Sequence, residues 1–236
     1  MYKINEFEQG SCLNQVLADK VAELLTAAVK AKGKASIAVS GGSTPKGFFQ
    51  ALSQKKLAWP LITITLADER WVDANSNDSN TKLVHEHLLQ NEALNANFFH
   101  LKQGEVLSDN TLADLNQQAM QHLLPLDVLI LGMGEDGHTA SLFPCSDEID
   151  RCLSPDSNAL LKVMPTTAPH QRISFSFAVL AESKNIFLHL SGVKKKQVLV
   201  EAIAGKDCKE MPIRAFLHAP NLITQVFWAP ELSAEI

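Results

Sequence analysis

Leu131-Gly-Met-Gly-Glu-Asp-Gly-His-Thr-Ala-Ser-Leu-Phe-Pro144 decides how this chain is read. It follows an apolar run over residues 126–131, so it is the turn that leaves a buried strand. Three glycines free the backbone to bend closely around something small. One acid, Asp136, and one imidazole, His138, arrive together at that bend. Histidine is the side chain best suited to move a proton near neutral pH. The segment reads as a catalytic loop at a strand end.

The same strand-then-turn unit recurs on both sides of it. Upstream, apolar residues at helical spacing over residues 13–29 (Leu13, Val16, Leu17, Val21, Leu24, Leu25, Ala28) predict an amphipathic helix, with Ser11 as N-cap and Gly33 as its end. A short buried strand, Ala35-Ser-Ile-Ala-Val39, then runs into Ser40-Gly-Gly-Ser-Thr-Pro45, where Pro45 suits a first helical turn capped by Ser43 or Thr44. Residues 61–67 form a β-branched strand ending in Asp68-Glu-Arg-Trp-Val72, and a helix is expected over residues 81–89. Downstream, strands are expected at 172–177, 185–190 and 222–228, with a helix at 194–203. Residues 154–169 read as an irregular surface excursion. Strands alternating with helices predict an α/β chain, a Rossmann-like doubly wound, mostly parallel sheet with helices on both faces. No linker or repeat divides it, so residues 1–236 are read as one domain.

Composition narrows the function classes. Hydrophobic content of 46% and charged content of 20% are ordinary for a soluble globular protein. A formal net charge of -5 supplies no basic field, so neither nucleic acid nor an anionic membrane is expected as a partner. No apolar run approaches a bilayer span and the N-terminus has no signal-peptide pattern, which gives a cytoplasmic expectation. Cys12, Cys145, Cys152 and Cys208 match no zinc spacing and read as incidental thiols, with nothing beside Cys145 to activate it. His85 and His87, two apart on a predicted helix, face different sides and do not suggest a metal site.

Ligands of open α/β sheets bind beyond the carboxyl ends of the strands. Four polar segments occupy such ends: residues 40–45, 68–72, 132–138 and 191–195. In the first, Gly41 and Gly42 let backbone N–H groups face a phosphate while Ser43 and Thr44 add hydroxyl donors. It lacks the G-K-[ST] ending of a Walker loop and the second glycine of a nucleophile elbow, and a plain strand-to-helix turn is its bland reading. Arg70 could grip a phosphate bidentately, or merely share a surface ion pair with Asp68 and Glu69. Ser191-Gly-Val-Lys-Lys-Lys196 offers a further cation at a helix start.

Together these segments resemble the 6-phosphogluconolactonase family, which is grouped with glucosamine-6-phosphate deaminases and isomerases. The likeness runs over nearly the whole chain, and Ser79-Asn80, Gln171-Arg-Ile-Ser174 and Gly192-Val-Lys-Lys195 add to it. It implies hydrolysis of a small sugar-phosphate lactone, 6-phospho-D-glucono-1,5-lactone, without cofactor or metal. His138 matches the family's catalytic histidine, with Asp136 as its orienting acid. Arg70, Lys195 and residues Gly41, Gly42, Ser43 and Thr44 match its phosphate contacts, and Arg172 matches a recurring arginine of less defined role. The deaminase branch has a glutamate where this chain has Phe143, and Asp-Glu-Tyr where it has Asp-Glu-Arg70. A deaminase-type isomerase and a non-catalytic sugar-phosphate sensor are the alternatives. One departure is that Trp228 is followed by Ala229-Pro230-Glu231 rather than by an early aspartate. Monomer and homodimer both stay open. The expected chemistry has His138 activate water at the lactone carbonyl, with N–H groups of the glycine-rich turns stabilising the oxyanion.

Overall fold

The computed structural model describes residues 1–230; Glu231 of the departure noted above lies outside the described residues. Seven strands form one sheet in the order β1 (Tyr2–Glu6), β10 (Thr224–Ala229), β9 (Ile186–Ser191), β6 (Val128–Leu131), β2 (Ala35–Val39), β3 (Ile62–Leu66) and β5 (Asn97–Phe99). Every pairing in that sheet is parallel. β2 and β6 are buried at every residue, as an all-parallel sheet covered on both faces requires. From β2 the chain moves outward through β3 to β5. It then returns to β6 on the other side of β2 and continues outward through β9 to β10, which pairs with β1, the first strand of the chain, at the edge. The order therefore reverses between β2 and β6, and a crevice opens at the carboxyl ends of the strands at such a switch point.

The first helix, α1 (Gly10–Lys32), buries Leu13, Leu17, Ala18, Val21 and Leu25 against the sheet, while Val16 stays exposed at the edge of the stripe. It packs on α2 (Lys46–Ser53) and lies over β2, β6 and β10. Each buried leucine contributes about 2 kcal/mol, so packing rather than capping secures the helix. Its N-cap is Gln9, not Ser11: Gln9 is extended and its carbonyl accepts from Leu13 N at 3.1 Å, which brings Ser11 inside the first turn. Gly33 does end the helix, at φ 75, donating its N–H to the Val29 carbonyl.

Two further expectations change. Residues 172–177 do form a strand, β8 (Arg172–Phe175), but not in the parallel sheet. It pairs antiparallel with β4 (Asp68–Arg70) and β7 (Leu160–Val163) in a separate three-stranded sheet. The chain turns out of β3 at Ala67, whose carbonyl accepts from Phe175 N at 3.0 Å, and so carries β4 toward β8. β7 lies within residues 154–169, read from sequence as irregular; four residues are too few to show a period. The remaining helices are α3 (Asn80–His87), α4 (Asp109–His122), α5 (Ile149–Leu153), α6 (Phe177–Ala181), α7 (Val193–Ala204) and α8 (Arg214–His218). No described helix is long and apolar enough to cross a membrane.

Candidate active site

All four strand-end segments open on one cavity of about 290 Å³ at the β2/β6 switch point. Ser40 to Pro45 leave β2, Asp68 and Arg70 sit on β4, Gly132 to Ala140 leave β6, and Lys195 stands in the first turn of α7. Arg172, Asn80 and His189 complete the polar wall. Every residue expected to bind or react lines this cavity except Asp136, which stands behind His138.

The His138 ring is held from two sides. Its Nδ1 lies 2.5 Å from Asp136 Oδ1, and its backbone N–H donates to the same oxygen at 3.1 Å. The Phe143 ring stacks on it at 4.1 Å between centroids. Burial alone would raise the Asp136 carboxyl, but the hydrogen bond and charge of His138 outweigh it and hold it below the ordinary carboxylate value. With Nδ1 committed to a carboxylate, Nε2 is the nitrogen left for chemistry. Gly134 makes the arrangement possible, because a Cβ there would overlap the His138 ring. The turn also consumes its own amides: Gly132 N donates to Ser40 Oγ at 3.2 Å, Gly134 N to the His138 carbonyl at 2.8 Å and Gly137 N to the Gly134 carbonyl at 3.3 Å. These three N–H groups are therefore not the oxyanion donors expected from the glycine pattern.

The same cavity also carries groups that suit an anion. In the loop after β2, no protein acceptor takes the N–H groups of residues 41–44 among the described residues. Neither Ser43 nor Thr44 caps α2, whose N-cap is Pro45; both line the cavity instead. Gly41 packs against Asn80, where any side chain would overlap the carboxamide. Arg70 and Arg172 stand directly opposite each other in the β4/β8 register, an unfavourable juxtaposition without a counter-charge. Each has a buried Nε with no partner among the described residues. Burial pulls Arg172 below the ordinary guanidinium range, with Asp68 opposing that shift and Arg70 adding to it. Lys195 donates to the Met133 carbonyl at 2.7 Å, and desolvation lowers its ammonium against the pull of Glu135 and Asp136. Of its neighbours, Lys194 pairs with Glu135 at 3.9 Å, and Lys196 pairs with Glu6 at 2.8 Å and covers Trp228.

The bland reading of Asp68-Glu-Arg70 as a surface ion pair fails. Asp68 and Glu69 are buried, and Glu69 accepts from the backbone N–H groups of Arg70, Asn80 and Thr81 and from Ser79 Oγ. That one carboxylate therefore caps α3 and fixes Arg70. Asp68 accepts from Ser141 Oγ at 2.5 Å and lies 3.8 Å from Arg172. Asn80, whose Nδ2 donates to the Asp68 carbonyl at 3.0 Å, entered the sequence reading only through the Ser79-Asn80 pair of the family resemblance, without a role. His189, a lone histidine on an apolar strand, carried no signal at all. It is buried and its imidazole is pushed down to about 4 by desolvation, so it is neutral at working pH. All four cysteines are free; at Cys145 burial would raise the thiol, but hydrogen bonds with Thr167 and Thr166 outweigh it and lower it.

A histidine–aspartate dyad and a cationic cradle sharing one cavity of this size suit a phosphorylated sugar derivative, and comparison with known proteins narrows the class. Residues 8–228 match the family described as glucosamine-6-phosphate isomerases/6-phosphogluconolactonase. The chain belongs to this family. Within it, the 6-phosphogluconolactonase of Rhizobium meliloti is 41% identical, covering 95% of this chain and 97% of that protein. That of Pseudomonas aeruginosa is 44% identical, covering 94% of this chain and 93% of the relative. The crystal structure of a 6-phosphogluconolactonase from Shewanella baltica superposes with a TM-score of 0.93 at 44% identity, covering 97% of this chain and 98% of the other. The family match over residues 8–228 takes in all four strand-end segments, not an isolated motif.

Proposed function

We propose that this chain hydrolyses 6-phospho-D-glucono-1,5-lactone to 6-phospho-D-gluconate in the cytoplasm, as a 6-phosphogluconolactonase of the oxidative pentose phosphate pathway. The observation that carries the reading is the His138–Asp136 dyad opening on the cavity that also holds Arg70, Arg172, Lys195 and the open N–H groups of residues 41–44. In this reading the 6-phosphate takes the cationic wall, and the fixed phosphate orients C1 toward His138. His138 Nε2 removes a proton from water as its oxygen bonds to C1. Collapse of the tetrahedral intermediate breaks the bond from C1 to the ring oxygen, which takes the proton back from the imidazolium. Asp136 holds the tautomer and stabilises the cation formed between the two steps.

The test is a coupled assay on freshly generated lactone, following 6-phosphogluconate above spontaneous hydrolysis. Wild-type protein should accelerate its appearance, and His138→Ala should lower kcat by about 10³-fold with little change in KM. Absence of acceleration by the wild type, or release of ammonia from glucosamine 6-phosphate, would overturn the activity. Near-normal kcat in His138→Ala would overturn the role of His138.

A further inference from the structure

We infer that Phe143 is a positioning residue for the reaction, a flat shim that fixes the plane of the His138 imidazole; the inference rests on the role of His138 proposed above. The hydrogen bond to Asp136 fixes one point of the ring. Because Nδ1 lies off the Cβ–Cγ axis, the bond also restrains rotation about that axis, a soft and broadly distributed torsion, but only to within the roughly 30° that hydrogen-bond geometry tolerates. The Phe143 ring removes that freedom, since the two planes lie 26° apart at a centroid distance of 4.1 Å. Phe143 is itself held: it is 3% exposed, and the Arg172 guanidinium sits over its ring at 5.1 Å. The backbone supports the same placement at some expense. Ala140 takes φ 48, a left-handed conformation that costs about 1 kcal/mol in a residue other than glycine. The chain then doubles back through the Thr139–Leu142 bridge and returns Phe143 to the imidazole of His138, earlier in the same loop.

The contact has a second consequence during turnover. When His138 accepts the proton from water, the imidazolium forms against an aromatic face, and a cation on such a face is stabilised. Phe143 thus favours the intermediate state of the base over its resting state, whereas a merely space-filling residue would not distinguish them.

Three variants separate these roles. Phe143→Leu keeps most of the volume and loses the ring, Phe143→Tyr keeps the ring, and His138→Ala reports on the base itself. The expected result is a kcat lowered about tenfold or more in Phe143→Leu, with KM within about twofold of wild type. Phe143→Tyr should restore most of the lost kcat. In NMR spectra of the wild type the His138 Cε1 proton should show an upfield ring-current shift, lost in Phe143→Leu and kept in Phe143→Tyr. The inference is overturned if Phe143→Leu keeps wild-type kcat, if the loss falls on KM alone, or if Leu and Tyr variants of normal Tm lose kcat equally. Should the leucine variant fail to fold, the ring-current shift in wild type and Phe143→Tyr decides, and its absence sinks the shim. If His138→Ala keeps normal kcat, it is the parent reading that fails.

Discussion

Arg70 is anchored before any ligand reaches it: its Nη1 donates to the Asp78 carbonyl at 2.6 Å and its own backbone N–H is held by Glu69 at 2.8 Å. Its buried Nε is a donor without a protein partner among the described residues. A charge-assisted hydrogen bond to an oxyanion contributes about 1.5–3 kcal/mol, so Arg70→Ala should raise KM about 10- to 100-fold while leaving kcat within a few-fold. Steady-state kinetics on the lactone check this, and an unchanged KM would remove Arg70 from the phosphate site. Residue by residue, the lining of the candidate site was legible wherever an uncommon local pattern marks it, as in the paired glycines of residues 41–42 or an acid two positions before a histidine. His189 was not legible, and Asn80 was marked only by the family resemblance and given no role, because their partners come from other elements. Asn80 is recruited by β4, and His189 becomes a wall residue only because β9 neighbours β6.

Between elements, a single carboxylate ties together what the hydrophobic contacts bring near. Asp127, just before β6, accepts from Ser36 N of β2 at 2.8 Å and pairs with Lys32 of α1 at 2.9 Å and Lys184 at 3.0 Å. Burial works to raise its carboxyl, but the two lysines and the Ser36 amide prevail and hold it below the ordinary carboxylate value. A carboxyl depressed in the folded state binds protons more readily when unfolded. Its stabilising contribution is therefore complete above the unfolded value near 3.8 and is lost as pH falls through the lower folded one. Asp127→Asn should cost about 1–3 kcal/mol in urea unfolding at pH 7, since both lysines keep partial access to water. The gap between variant and wild type should narrow below pH 4. A gap that stays constant into acid would show that shape, not charge, is what Asp127 supplies. At this scale the sequence reading succeeded for β2, β3, β6 and β9, whose apolar runs fill central strands. It missed β1, an edge strand with exposed polar residues, and β5 and β7, too short to display a period.

Across the whole molecule, Asp127 and the cavity lie at opposite edges of the parallel sheet, the clamp where β2 and β6 begin and the chemistry where they end. Turnover by Asp127→Asn should accordingly match wild type at pH 7. The doubly wound class was readable because strand–turn–helix units repeat. The separate β4–β8–β7 sheet was not, since the antiparallel pairing of β4 with β8, far apart in the chain, leaves no local trace. Yet that small sheet is what sets Arg70 opposite Arg172. Two guanidinium groups in register repel, and any compact dianion that bridges them relieves the repulsion and stabilises the folded chain by mass action. Inorganic phosphate or sulfate should thus raise Tm in proportion to the logarithm of its concentration and act as a competitive inhibitor. The choice of buffer then becomes an experimental variable: a KM measured in phosphate should exceed one measured in a zwitterionic buffer at equal ionic strength. Identical KM values in the two would mean that this pair of arginines does not hold the anion.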